Sequence, residues 1–147
     1  RQPSFGMTFR QEGVNRLGAP TPVPVDSISV PAGGSTEFEL AVTRREGQSG
    51  DIALSLNTPP TIKGLVLEQL IKKMEPNPTG GTPTVKVTVE KVPVVKNGQS
   101  NAFLQISAPE NMAPGNYIGL FLRASGRAGA QPFVLDKPLW VTVTPKI

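Results

Sequence analysis

Cysteine and histidine are both missing from this chain of 147 residues. Without cysteine the chain has neither disulfides nor thiolate metal ligands, and without an imidazole neither a serine triad nor a Cys-His catalytic pair can form. The common zinc sites need the same two residue types. The sequence also lacks a glycine-rich phosphate-binding loop. We therefore expect no catalytic residues of these classes, no metal and no cofactor.

Long apolar runs are also missing, since none approaches the roughly 20 residues that span a bilayer, so we predict no membrane span. The chain begins with Arg1 and has no charged-then-apolar leader, so we expect any export signal to lie outside this sequence. Its net charge is +4, but Lys and Arg occur singly or in pairs, as in Arg44-Arg45 and Lys72-Lys73. That scatter predicts a solvated basic surface and no nucleic-acid partner.

Paired carboxylates are the remaining catalytic option. Glu37 and Glu39 lie two apart, which is about 7 Å along a strand and close to the separation that glycosidase acids use. Alternating glutamates on the wet face of a half-buried strand are, however, ordinary solvated residues. Asp51 and Asp136 stand alone in turns and do not suggest a calcium site. The sequence therefore predicts a protein that is not an enzyme.

Proline and glycine are plentiful, with 16 and 15 residues, and they separate runs in which apolar and polar residues alternate. In one run Phe38, Leu40 and Val42 share a face, opposite Glu37 and Glu39. Residues 117–123 are nearly all apolar, so we expect one central strand covered on both faces. Seven to eight strands without βαβ alternation predict two packed antiparallel sheets, although a jelly roll or an up-and-down barrel remains open. The predicted strands are 27–31, 36–44, 52–56, 85–90, 102–106, 117–123 and 139–143.

Two segments depart from this pattern. Residues 1–24 form a separate N-terminal arm, with a short strand around Phe5, Met7 and Phe9 and a proline-rich linker at 19–24, so the sandwich domain is 25–147. We expect the arm to dock as a strand at a sheet edge, and a partner-binding arm is the alternative. An insertion at 62–83 has apolar residues at helical spacing, which predicts a short amphipathic helix. A strand at 64–67 followed by a loop is the alternative. The helical positions are Leu67, Leu70, Ile71 and Met74.

Four stretches resemble the bacterial immunoglobulin-like domains of secreted and cell-surface proteins. They are VPAGGSTEFELAVTR at 30–44, GDIALSL at 50–56, APGNYIGLFLRASG at 113–126 and PLWVTVTP at 138–145. The resemblance implies an immunoglobulin-like antiparallel β-sandwich outside the cytoplasm, acting as a spacer, adhesion or accessory domain. Its partners would be other domains of the same protein or a surface protein. In such domains a tyrosine often closes a corner with its hydroxyl, and the resemblance implies this structural role for Tyr117.

Trp140 is the candidate ligand-binding residue. It has opposite parity to Leu139, Val141 and Val143, so it faces outward if those three face the core. We expect Phe5, Phe9 or the 67–74 segment to cover it, and an open aromatic platform is the alternative.

These observations favour a non-catalytic structural or protein-interaction module. The alternative is a carbohydrate-binding module that uses Trp140 as its platform and binds polysaccharide. We expect a monomer, because Pro31, Pro93 and the flanking charges discourage pairing between sheet edges.

Overall fold

The computed structural model describes residues 6–44, 50–128 and 130–146, so Phe5 and Arg45 lie outside it. Within these residues the chain forms thirteen strands and no helix, which confirms the all-β prediction. It accordingly contains no helix there that could cross a bilayer. The strands are β1 (Gly6–Val14), β2 (Pro20–Val25), β3 (Ser27–Pro31), β4 (Ser35–Thr43), β5 (Ile52–Asn57), β6 (Val66–Glu75), β7 (Thr84–Glu90), β8 (Val94–Val95), β9 (Asn101–Ser107), β10 (Gly115–Tyr117), β11 (Phe121–Ala128), β12 (Gln131–Pro138) and β13 (Trp140–Thr144).

The strands form three sheets. A six-stranded sheet has the order β2-β1-β4-β9-β6-β7, a four-stranded sheet the order β12-β11-β5-β8, and a three-stranded sheet the order β10-β13-β3. Neighbouring strands run antiparallel except β13 and β3, which pair in parallel. The architecture is therefore sandwich-like, with more strands than the seven to eight predicted.

Alternation along the strands places one face of each sheet in a common core. Phe38, Leu40 and Val42 of β4 are buried, as their period of two predicts. The ring of Phe9 meets that of Phe38 edge-on, with centroids 5.7 Å apart, and this geometry suits the aromatic quadrupoles. The three-stranded and four-stranded sheets contribute to the same core through Ile28, Val30, Ile52, Leu54, Leu122, Ala124, Leu139, Val141 and Val143.

The N-terminal segment supplies two strands of the six-stranded sheet. β1 lies between β2 and β4, with Phe9 opposite Leu40 and fully buried. β2 is the edge strand, and prolines occupy its alternate positions 20, 22 and 24. Because an edge strand pairs on one side only, alternate residues can lack an N–H group without breaking the ladder to β1.

The predicted helix at 67–74 is wrong, since these residues belong to β6. Leu67 pairs with Ile106 and lies on the core face, whereas Leu70 pairs with Phe103 on the opposite face of the sheet. Both leucines are buried, so their helical spacing reflects burial on two faces of one strand. An isolated helix of two turns is marginal, and pairing with β9 and β7 satisfies the backbone instead.

The prediction of one strand over 117–123 is also wrong. β10 ends at Tyr117 in the three-stranded sheet, and β11 begins at Phe121 in the four-stranded sheet. Gly119 between them has φ +86°, a conformation that glycine adopts without strain. The chain therefore changes sheets at this glycine, and the apolar run is divided between two strands.

Candidate binding surface around Trp140

Trp140 lies on the outer side of the three-stranded sheet. Its neighbours Leu139 and Val141 are fully buried, whereas Trp140 itself is 54% exposed. The expected cover by Phe9 or by residues 67–74 is wrong, because Phe9 is buried inside the core and β6 belongs to the six-stranded sheet. Phe5, the third expected cover, lies outside the described residues. A large aromatic side chain is thus available at the surface.

The position of Trp140 follows from strand pairing. β13 lies between β10 and β3, and its register sets Trp140 beside Ser27 and Thr142 opposite Asn116. The backbone N–H of Trp140 donates a hydrogen bond of 3.2 Å to the backbone carbonyl oxygen of Asp26, and this bond anchors the start of the strand. Because alternate residues of a strand share a face, Trp140, Thr142 and Asn116 face outward together.

A shallow depression of about 360 Å³ adjoins the indole, between the ends of β3, β10 and β13. Ile118, which follows β10, lines it and is 69% exposed. Two large apolar side chains thus line the same depression. The lining residues are Ser27, Asn116, Tyr117, Ile118, Trp140, Val141 and Thr142.

Polar groups flank this apolar pair. The hydroxyl of Thr142 donates to Oδ1 of Asn116 at 2.9 Å, which orients the side-chain amide. In the part of the chain that the structure describes, the amide nitrogen of Asn116 has no protein acceptor. The surface therefore combines an aromatic face with an oriented hydrogen-bond donor.

Tyr117 lies at the rim of the same surface with its ring against the core. Its hydroxyl donates to the carbonyl oxygen of Ala113 at 2.5 Å, across the turn that precedes β10. This is the contact that the resemblance implied for a corner tyrosine. A hydroxyl that already closes a turn is poorly placed to bind a ligand, so the geometry favours a positioning role for Tyr117.

The glutamates that raised the question of catalysis lie elsewhere, in a groove of about 540 Å³ on the outer face of the six-stranded sheet. Glu37 forms an ion pair with Lys72, whose ammonium lies 4.3 Å from the ring centre of Phe103. Glu39 accepts a hydrogen bond of 2.8 Å from the amide of Asn101 and lies 3.9 Å from Arg10. Each carboxylate thus has its own cation.

Metal-binding groups do not converge in residues 6–44, 50–128 or 130–146, where no three potential ligands among Asp and Glu come together. No family model matches the chain, and no curated protein matches it either. Trp140 and Ile118 are both more than half exposed where they line the depression on the three-stranded sheet.

Proposed function

We propose that this chain is a non-catalytic, immunoglobulin-like module of a larger exported bacterial protein, and that its Trp140 surface binds a neighbouring domain of that protein. The observation that carries the proposal is the exposure of two large apolar side chains, Trp140 and Ile118, that line the same depression. Large apolar side chains that stay exposed together usually mark a contact surface.

The chemistry of this surface suits a protein partner. Tryptophan is enriched among the residues that dominate interface energies, and it does best when apolar contacts around it exclude water. Ile118 supplies such a contact, and Asn116 offers a donor at the rim. Because strands hold Trp140 and Asn116, little backbone conformational entropy is lost at these two residues when a partner binds.

The finer fold assignment has separate support. Residues from all three sheets share one core, and the Tyr117 hydroxyl donates a hydrogen bond to the backbone carbonyl of Ala113. Both features are typical of immunoglobulin-like sandwiches. Such domains commonly work beside others in one chain, which is the reason for choosing a neighbouring domain as the partner.

A carbohydrate-binding module is the second candidate. The observation in its favour is the oriented amide of Asn116 within the depression that Trp140 lines. An aromatic face beside a few directed polar groups is a common plan for small-ligand sites. The same residues would then hold a polysaccharide on the open face of the indole.

Titration calorimetry of the chain against the adjacent domains of its parent protein, and against a polysaccharide panel, separates the two functions. We expect binding to an adjacent domain, weakened at least about 30-fold by Trp140→Ala, the scale of a strong interface residue. Val134→Ala, an exposed apolar residue on β12 in the four-stranded sheet, is the matched control and should leave binding unchanged.

Binding to a polysaccharide that Trp140→Ala abolishes and Trp140→Phe retains would replace the first function with the second. Binding to an adjacent domain that Trp140→Ala leaves intact would contradict the assigned surface.

A further inference from the structure

The two edge strands of the six-stranded sheet differ in their capacity to pair with another strand. β2, at one end, has proline at positions 20, 22 and 24, and proline cannot donate to a ladder. β7, at the other end, contains no proline and alternates valine with Lys86, Thr88 and Glu90. Only the β7 edge thus has a full set of backbone donors for a new strand.

The β6-β7 hairpin also projects beyond the sheet. β9 pairs with residues 66–70 of β6, whereas β7 pairs with residues 69–75, so the two registers overlap at only Gln69 and Leu70. All seven residues of β7 are exposed. Its valines, Val85, Val87 and Val89, are 55%, 49% and 49% exposed. This edge is therefore accessible and apolar along one face.

We propose that two copies of this chain associate by antiparallel pairing of β7 with β7, about a two-fold axis at Thr88. This register sets Lys86 opposite Glu90 of the second copy, and Glu90 opposite Lys86 of the second copy. It also sets Val87 opposite Val89 of the second copy, again twice by symmetry. The six-stranded sheets then join into one continuous sheet.

Charge and shape complementarity favour a second copy as the occupant. A two-fold contact requires a surface that complements itself, and β7 meets this requirement because its positive and negative side chains lie two residues on either side of Thr88. Opposite charges directly across an antiparallel pair are stabilising, and so are paired β-branched residues. Lys86 also lies 3.8 Å from Glu75 of its own hairpin, a solvated contact that does not prevent a second one.

This inference differs from the expectation of a monomer, which rested on Pro31, Pro93 and the flanking charges. The structure places Pro31 at the end of β3 and Pro93 between β7 and β8, so neither lies in the β7 edge. A different register, centred on Val87, would set Lys86 opposite Thr88 of the second copy. Charge exchange distinguishes the two registers.

Sedimentation of the chain from micromolar to millimolar concentration tests the proposal. We expect a dimer of the 15.6 kDa chain. Lys86→Glu and Glu90→Lys should each weaken it about tenfold or more, since like charges then face each other twice. The double variant restores opposite charges and should dimerise like the unaltered chain.

Lys73→Glu is the matched control, because Lys73 lies opposite Lys86 within the hairpin but does not face the second copy. It should leave the dimer unchanged, and circular dichroism should confirm that every variant is folded. An unaltered chain that stays monomeric overturns the proposal, as do single variants that dimerise normally. A double variant that stays monomeric overturns the Thr88 register.

Discussion

The side chain of Gln69 exchanges two hydrogen bonds with the main chain of Val94. Its Nε2 donates to the carbonyl oxygen at 3.0 Å, and its Oε1 accepts from the N–H at 2.9 Å. Gln69 belongs to β6 in the six-stranded sheet, whereas Val94 belongs to β8 in the four-stranded sheet. This buried side-chain amide therefore joins the two sheets by a pair of hydrogen bonds, as backbone groups join neighbouring strands within a sheet.

Gln69→Leu should destabilise the fold by about 2 kcal/mol, because it leaves a part-buried donor and a part-buried acceptor of Val94 without their side-chain partners. Urea denaturation followed by circular dichroism measures the loss. Gln105→Leu is the control, since the Gln105 side chain donates a hydrogen bond to the side chain of Glu68 and to no backbone group among the described residues, so it should change stability by less than about 0.5 kcal/mol. Equal losses would contradict the assigned role of Gln69.

Gly64 is required by both conformation and space. Its φ is +97°, and a Cβ there would lie 2.7 Å from Cγ of Pro109. Gly18 has a similar φ of +82° but nothing near it, so Gly18→Ala isolates the conformational cost of about 1–2 kcal/mol. We expect Gly64→Ala to lower the free energy of unfolding by clearly more than Gly18→Ala. Equal effects would mean that Pro109 moves aside without cost.

Tyr117→Phe removes one hydrogen bond and leaves the ring in place. We expect the free energy of unfolding to fall by about 1 kcal/mol, because the carbonyl oxygen of Ala113 loses its hydrogen-bond donor. If Tyr117 acts by holding the turn, partner binding should fall less than it does for Trp140→Ala. Full loss of binding with normal stability would instead indicate that the hydroxyl contacts the partner.

The Arg123–Asp136 pair predicts a dependence of stability on pH. Hydrogen bonds from Arg123, at 2.8 and 3.0 Å, hold the pKa of Asp136 below its ordinary value. Because the folded pKa is the lower one, the contribution is complete above the unfolded value of about 3.9 and is lost as pH falls through the folded value.

The difference in urea midpoint between the unaltered chain and Asp136→Asn should therefore shrink on going from neutral to strongly acidic solution. The pair is exposed, so the difference is small even at neutral pH. Asp26→Asn, which removes one carboxylate at another exposed position, serves as the charge-matched control. A difference for Asp136→Asn that is independent of pH would contradict the assigned cause.

Sequence alternation predicted the strands whose two faces differ most. In β4 the buried Phe38 and Leu40 alternate with polar Glu37 and Glu39, and the prediction is confirmed there. It failed in β6, because Leu67 and Leu70 are buried on opposite faces and so imitate a helix. The spacing of apolar residues alone therefore does not distinguish an amphipathic helix from a strand that is buried on both faces.

The outward position of Trp140 was predictable because adjacent residues of a strand, here Trp140 and Val141, point to opposite faces. The residues that surround Trp140 on the surface were not predictable. Asn116 and Ile118 join it only because β10 pairs with β13, and strand order cannot be read from alternation. Within β13, the polar residue Thr142, two positions after Trp140, was the local sign that polar groups lie beside the indole. The sequence pattern therefore predicts that Trp140 faces outward, whereas the pairing of strands determines which residues surround it.

Fluorine NMR of the chain labelled with 5-fluorotryptophan tests the central claim most directly, because Trp140 is its only tryptophan and gives a single resonance. We predict that this resonance shifts, and becomes protected from a soluble paramagnetic agent, when the unlabelled adjacent domains that the proposed function requires are added. Polysaccharides should leave it unchanged. A resonance that responds only to a polysaccharide, or that stays fully accessible in the presence of every adjacent domain, would contradict the account.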